Sequence, residues 1–256
     1  MKSMMKRNTF REIKKSFGRY FAILAIVALG VAFFSGLKIT QSVMVHSADV
    51  YLKDLQFYDY RLVSTLGFTE ENVEALAEKE DVRAAEGAIS AEVLYKDAGE
   101  NERVIKMHSI TEKVNKLKLV AGEMPQSADE CVVDSALFSE DAIGSKLVLS
   151  ENNTTDDLDK FAYKEYTITG LVQSPCYIQF ERGNTSIGNG RISGFAYILK
   201  DGFAVDYDTE IYIKFDEDYD IYSDEYDSYM DAKEADWEAY TCLLYTSDAA
   251  DDTPCV

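Results

Sequence analysis

Eighteen consecutive residues without a charge, Tyr20 to Leu37, constrain this 256-residue chain more than any other feature. They read YFAILAIVALGVAFFSGL, closed by Arg19 on one side and Lys38 on the other. Coiled at 1.5 Å per residue, the stretch spans about 27 Å, close to the roughly 30 Å hydrocarbon core of a bilayer. A core helix of a soluble domain keeps a polar stripe for its solvent face, and this stretch has none. It reads as a transmembrane helix over residues 20–37.

The flanks set its direction. Residues 1–19 carry Lys2, Lys6, Arg7, Arg11, Lys14, Lys15 and Arg19 against the single acid Glu12. Positive flanks stay cytoplasmic, so the chain beyond Lys38 is expected outside the cell. A cleaved secretory signal shares the basic start, but its apolar region is shorter. No A-x-A-like site follows here either; Phe34-Ser35-Gly36 is a poor substitute. The reading is an uncleaved anchor in the plasma membrane.

Composition enters at this point, because charge is segregated along the chain. Of 26 basic and 46 acidic residues, 19 and 45 lie beyond residue 19. So acidic a segment offers no basic face for phosphates, which excludes nucleic acid as a partner. About 200 residues suffice for one domain with its own core.

Before the span, Phe10, Ile13 and Phe17 recur at helical spacing with cations opposite, the pattern of a short interfacial helix. Inside it, Ala28, Ala32 and Gly36 fall four apart, a small-residue face fit for packing against another membrane helix. Residues 38–57 contain no glycine or proline and read as a helical stalk.

Residues 58–216 read as an α+β domain with a mixed or antiparallel sheet and few short helices. A strand over 59–65 is followed by Thr69, an N-cap with Glu70 and Glu71 in the first turn, and a helix to about Lys79. A strand returns at Val82. Alternation from Ile89 to Tyr95, the polar turn 96–102 and an apolar run 104–110 predict a hairpin. Further strands are expected over 130–134, 146–149, 166–172, 195–199 and 210–215. Short helices are expected near 111–118 and 135–140, and the glycines at 183, 188, 190 and 194 mark a long hairpin loop. Residues 217–240 read as an acidic linker leading into a helix.

No catalytic, cofactor-binding or metal site emerges. His46 and His108 stand outside any hydrolase or zinc motif. Ser109 cannot serve His108, because neighbours on one strand point to opposite faces. Asp216, Asp218, Asp220 and Asp227 match four positions of a calcium loop, but Ile221 stands where glycine is required. Cys131 and Cys176 are compatible with a disulfide or with two buried thiols.

The chain also resembles the MacB/FtsX-type permeases of ABC transporters, particularly the large permeases of Firmicutes. The likeness is carried by Arg7-Asn8-Thr9-Phe10-Arg11-Glu12-Ile13, Ser16-Phe17-Gly18-Arg19-Tyr20-Phe21-Ala22-Ile23 and the apolar run from Ile26 to Phe34. It continues through Asn115-Lys116-Leu117, Gly122-Glu123-Met124-Pro125, Ile168-Thr169-Gly170-Leu171-Val172-Gln173-Ser174-Pro175, Arg182-Gly183-Asn184-Thr185 and Gly188-Asn189-Gly190. It implies a first membrane helix followed by a MacB-like outer core domain. It further implies ATP hydrolysis on a separate cytoplasmic ABC subunit, with no cofactor in this chain, and partnership with the remaining permease helices or a second permease. On that reading the chain is an amino-terminal fragment, and residues 241–256 resemble translated adapter read-through, a non-native tail. The other reading of the same residues is a single-span extracellular sensor or adhesion module.

Overall fold

The computed structural model describes residue 11 and residues 16–97, 99–217 and 219–248. Most of the expected interfacial helix, and the tail from 249 onward, lie outside the described residues. The chain divides into two units after Val50.

The first unit is dominated by α1 (Phe17–Asp54), a single helix of 38 residues whose last turn belongs to the second unit. Its side chains from Phe17 to Ser47 are exposed on every face. No stripe has been reserved for a protein core, and α1 is long and apolar enough to cross a membrane.

The second unit opens with β1 (Tyr60–Phe68), α2 (Glu70–Ala77) and β2 (Val82–Ala88). Thr69 caps α2 as expected. Its hydroxyl accepts from Asn72 N, and the Asn72 side chain returns a bond to Thr69 N at 2.8 Å, a capping box with asparagine at the third position. Strands β3 (Ser90–Lys96) and β4 (Glu102–Ser109) form the expected antiparallel hairpin. Then come β5 (Lys118–Gly122), β6 (Glu130–Asp134), β7 (Lys146–Leu149), α3 (Thr155–Leu158), β8 (Glu165–Gln173), β9 (Ile192–Ile198), β10 (Asp208–Phe215) and α4 (Asp224–Asp248).

Two sheets result. The smaller, β1-β10-β2, is antiparallel and packs Leu62, Ile211, Ile213 and Phe215 against Leu76 of α2 and Trp237 of α4. The larger is mixed, in the order β5-β8-β6-β9-β4-β3-β7. β7 also pairs with β8, so six of these strands close into a barrel. Period-two alternation sends Ala91, Val93, Tyr95, Ile105, Met107, Cys131, Val133, Ile168, Ala196 and Ile198 into one apolar cluster inside it. Each large apolar side chain so buried contributes roughly 1.5–3 kcal/mol. Gly122 belongs to this closure. At φ 78° and with Thr169 O only 2.2 Å from where a Cβ would stand, no larger residue lets β5 approach β8 there.

Three expectations need correction. Residues 111–117 form bends, not a helix, and 118–122 form β5, which periodicity alone did not disclose. Asn115 adopts φ 53°, and the N–H groups of Glu112 to Val114 turn to the Glu86 carboxylate instead of up a helix. Residues 135–140 hold only turns before a single 3-10 turn at Glu140–Ala142. The glycine-rich segment does turn back on itself as expected, Asn184 bridging Arg191 and Thr185 N donating to Gly190 O, but it does not join neighbouring strands: β6 lies between β8 and β9, and residues 174–191 cross it. Finally, α4 continues to Asp248, past the composition change at 241.

Candidate functional site

The barrel wall has a second face, opposite its apolar interior. Strand alternation directs Glu92, Lys106, His108, Val132, Asp134, Phe195 and Tyr197 that way, and residues 174–191 lie across it. Four polar contacts pin this cover. Ser174 Oγ and Tyr197 Oη lie 2.8 Å apart, and His108 Nε2 is 2.6 Å from Tyr177 Oη. Arg182 forms a bidentate pair with Asp134, Nε to Oδ2 at 2.7 Å and Nη2 to Oδ1 at 2.9 Å, with both side chains buried. Thr185 donates to Glu92 at 2.5 Å. Aromatic packing completes the layer: Tyr177 stacks on Phe195 at 4.4 Å, and the Arg182 guanidinium sits 5.4 Å from the Phe195 ring centre. From this pinned cover Phe180 stands out to solvent, 91% exposed.

A second cluster ties the small sheet to the barrel. The Glu210 carboxylate of β10 accepts from Ser90 Oγ at 2.5 Å and from the Tyr212 hydroxyl, with Lys106 Nζ at 3.7 Å. Burial alone would raise its pKa; those two hydrogen bonds and the Lys106 charge outweigh burial and hold it below the usual range.

A third cluster fastens the end of α1. Asn115 N donates to Gln56 O at 2.9 Å and Lys116 N to Leu55 O at 2.8 Å, while Asn115 Oδ1 accepts from Tyr58 N at 3.1 Å. Glu86 of β2 in turn accepts three N–H groups of this same bend, at 2.8, 2.9 and 3.1 Å. The chain leaving α1 is thereby bonded to a bend that β2 itself holds. This joint escapes a periodicity search because it pairs backbone groups with each other and with the Asn115 and Glu86 side chains, which no apolar pattern records. Asparagine tolerating the left-handed region was the one available signal.

These groups are held in unreactive states. Burial pushes the His108 pKa down to about 3, with Lys106 adding to the effect, so the imidazole is neutral. Cys131 and Cys176 are free thiols; burial raises both, Cys176 to about 11. Ser109 points away from His108, as its strand position requires, and accepts Ile89 N at 2.9 Å. His46 is exposed on α1. Among the described residues no three His, Cys, Asp or Glu side chains gather as a metal set. Of the acidic run, Asp220 pairs with Lys53 at 2.6 Å, and Arg83 lies 3.8 Å from Asp216. Ala28, Ala32 and Gly36 lie exposed on α1, and nothing stands within 4 Å of a Cβ added at Gly36.

No family model and no curated protein sequence match the chain. Several solved structures are similar to it at low identity. The extracellular domain of the noncanonic ABC-type transporter YknZ from Gram-positive bacteria is 12% identical, at TM-score 0.39, over 63% of this chain and 82% of that one. The periplasmic region of MacB from Actinobacillus actinomycetemcomitans is 13% identical, at TM-score 0.41, over 73% and 75%. A domain of a permease protein from Porphyromonas gingivalis is 14% identical, at TM-score 0.35, over 60% and 63%.

Proposed function

We propose that the chain is a permease subunit of an ABC transporter of the MacB/FtsX kind, non-catalytic in itself. Its amino terminus lies in the cytoplasm, α1 crosses the plasma membrane, and the barrel domain stands outside. ATP is hydrolysed on a separate cytoplasmic ABC subunit. The outer domain converts that work into export or into mechanical signalling across the membrane. Ala28, Ala32 and Gly36 are the face on which α1 meets the remaining permease helices or a second permease.

The observation that carries this reading is the continuity of α1. One unbroken helix leads from the apolar stretch to Asp54, and the residues that follow it are bonded at once to the Asn115 bend. A displacement of the helix end would therefore pull on backbone hydrogen bonds and not on a slack linker. A tethered adhesion module has no need of so direct a connection.

The test is purification of the tagged chain from its native membranes. An ABC ATPase should accompany it, and the ATP turnover of the complex should change when Asn115→Ala loosens the joint. Purification with no ATPase, or turnover indifferent to Asn115→Ala and Glu86→Gln alike, would overturn the proposal.

A further inference from the structure

The transport reading makes no use of the barrel's open end. Where β3 runs out and β4 begins, a cavity of about 740 Å³ enters the barrel domain. That volume lies within the roughly 300–1,000 Å³ of small-molecule sites, and the mouths of β-barrels are among the places such sites occur. Its depth is apolar, formed by Tyr95 and Leu147 of the wall and by Phe138 and Ala142 of the segment joining β6 to β7. Its rim carries both signs equally, Lys96, Arg103 and Lys146 against Asp97, Glu100 and Asp141. Arg103 is already neutralised by Asp97 at 2.9 Å. A rim so balanced selects neither an anion nor a cation.

Tyr95 supplies the second, independent observation. It is only 2% exposed and lines the cavity, yet its hydroxyl makes no hydrogen bond among the described residues. The oxygen itself is not sealed off, as the orphaned Asn115 Nδ2 is; it opens on the cavity, where water or a bound molecule can accept from it. Burial pushes this phenol up to about 12, so it stays protonated and able to donate.

We infer that this cavity is a binding site for a small uncharged molecule with an apolar body and a carbonyl- or ether-type oxygen, the apolar part lodged against Phe138 and Leu147 and the oxygen accepting from Tyr95 Oη. The inference stands apart from the transport reading, since a sensor or an export domain could equally carry such a site.

Ligand-observed NMR on the full chain in lipid nanodiscs, with empty nanodiscs as the blank, tests it with three probes: naphthyl methyl ketone, naphthoate and naphthylmethylammonium. The ketone should bind above the blank and more tightly than either ion. Tyr95→Phe, which keeps the ring and removes the donor, should weaken it roughly three- to tenfold, the worth of one neutral hydrogen bond. Ala142→Phe should abolish binding by filling the cavity; should that variant fail to fold, Tyr95→Phe decides alone. A ketone signal no greater than the blank, equal binding of all three probes, or affinity unchanged by Tyr95→Phe would overturn the inference.

Discussion

The two faces of the barrel wall solve burial in opposite ways. Inside, Val93, Ile105, Val133 and Ile198 need only an apolar neighbour, and any strand of the closed sheet supplies one. Outside, His108, Asp134 and Glu92 are polar, and each waits for one partner from far along the chain: Tyr177, Arg182 and Thr185. An apolar interior tolerates small errors of shape, because transfer from water is non-directional. A buried polar face does not, because a lost partner leaves an uncompensated group behind. The outer face is therefore expected to fail sharply, and the interior gradually.

Arg182→Ala gives the largest expected effect. It strands the Asp134 carboxylate, which is 2% exposed, and frees the carbonyls of Tyr177 and Gln179. Breaking a buried pair in this way costs about 3–5 kcal/mol. Thermal unfolding of the full chain in nanodiscs measures the loss, and Asp134→Asn combined with Arg182→Met should recover part of it. Ile198→Val, trimming one methylene from the fully buried interior, should cost only about 0.5–1.5 kcal/mol. Were the methylene to cost more than the arginine, the contrast between the faces would be wrong.

Acid sharpens the contrast. His108 titrates near 3 in the fold and near 6.5 when unfolded. Between those values the unfolded chain binds a proton that the native chain refuses, so stability falls as pH drops below 6.5. Its limiting slope is about 1.4 kcal/mol per pH unit. His108→Gln should lose stability at neutral pH but show a shallower decline from pH 6.5 to 5.5, before most carboxylates titrate. Equal slopes for both proteins would mean His108 is not buried neutral. The smallest effect belongs to Phe180→Ser. That side chain is held out by a pinned loop and touches little, so its loss should change stability by less than about 0.5 kcal/mol.

The same contrast explains how much the sequence could disclose. Alternation from Ile89 to Tyr95 and the run at 130–134 announced strands of the interior correctly, because one buried apolar face imprints period two. Thr69 announced α2 through its own cap. Barrel closure was not legible, since it rests on two or three residue pairs between β7 and each of its neighbours β3 and β8. The polar partners were not legible either, being 48 to 93 residues apart. At residues 111–118 the expected short helix does not form, because the Glu86 carboxylate competes for the N–H groups a helix would need. The span Tyr20 to Leu37 was the most legible element: a helix bare on every face leaves lipid as its natural surrounding.

The transport role proposed for the domain depends on α1 holding it outside the cell with the amino terminus within. The direct measurement is labelling of intact cells with a membrane-impermeant maleimide, in a background with the four cysteines of the chain replaced. One added cysteine stands at Ser3, the other at Glu151, which is exposed on the barrel domain. The account predicts modification at Glu151→Cys in intact cells and at Ser3→Cys only after permeabilisation. Labelling at Ser3→Cys in intact cells, with Glu151→Cys protected, would contradict it.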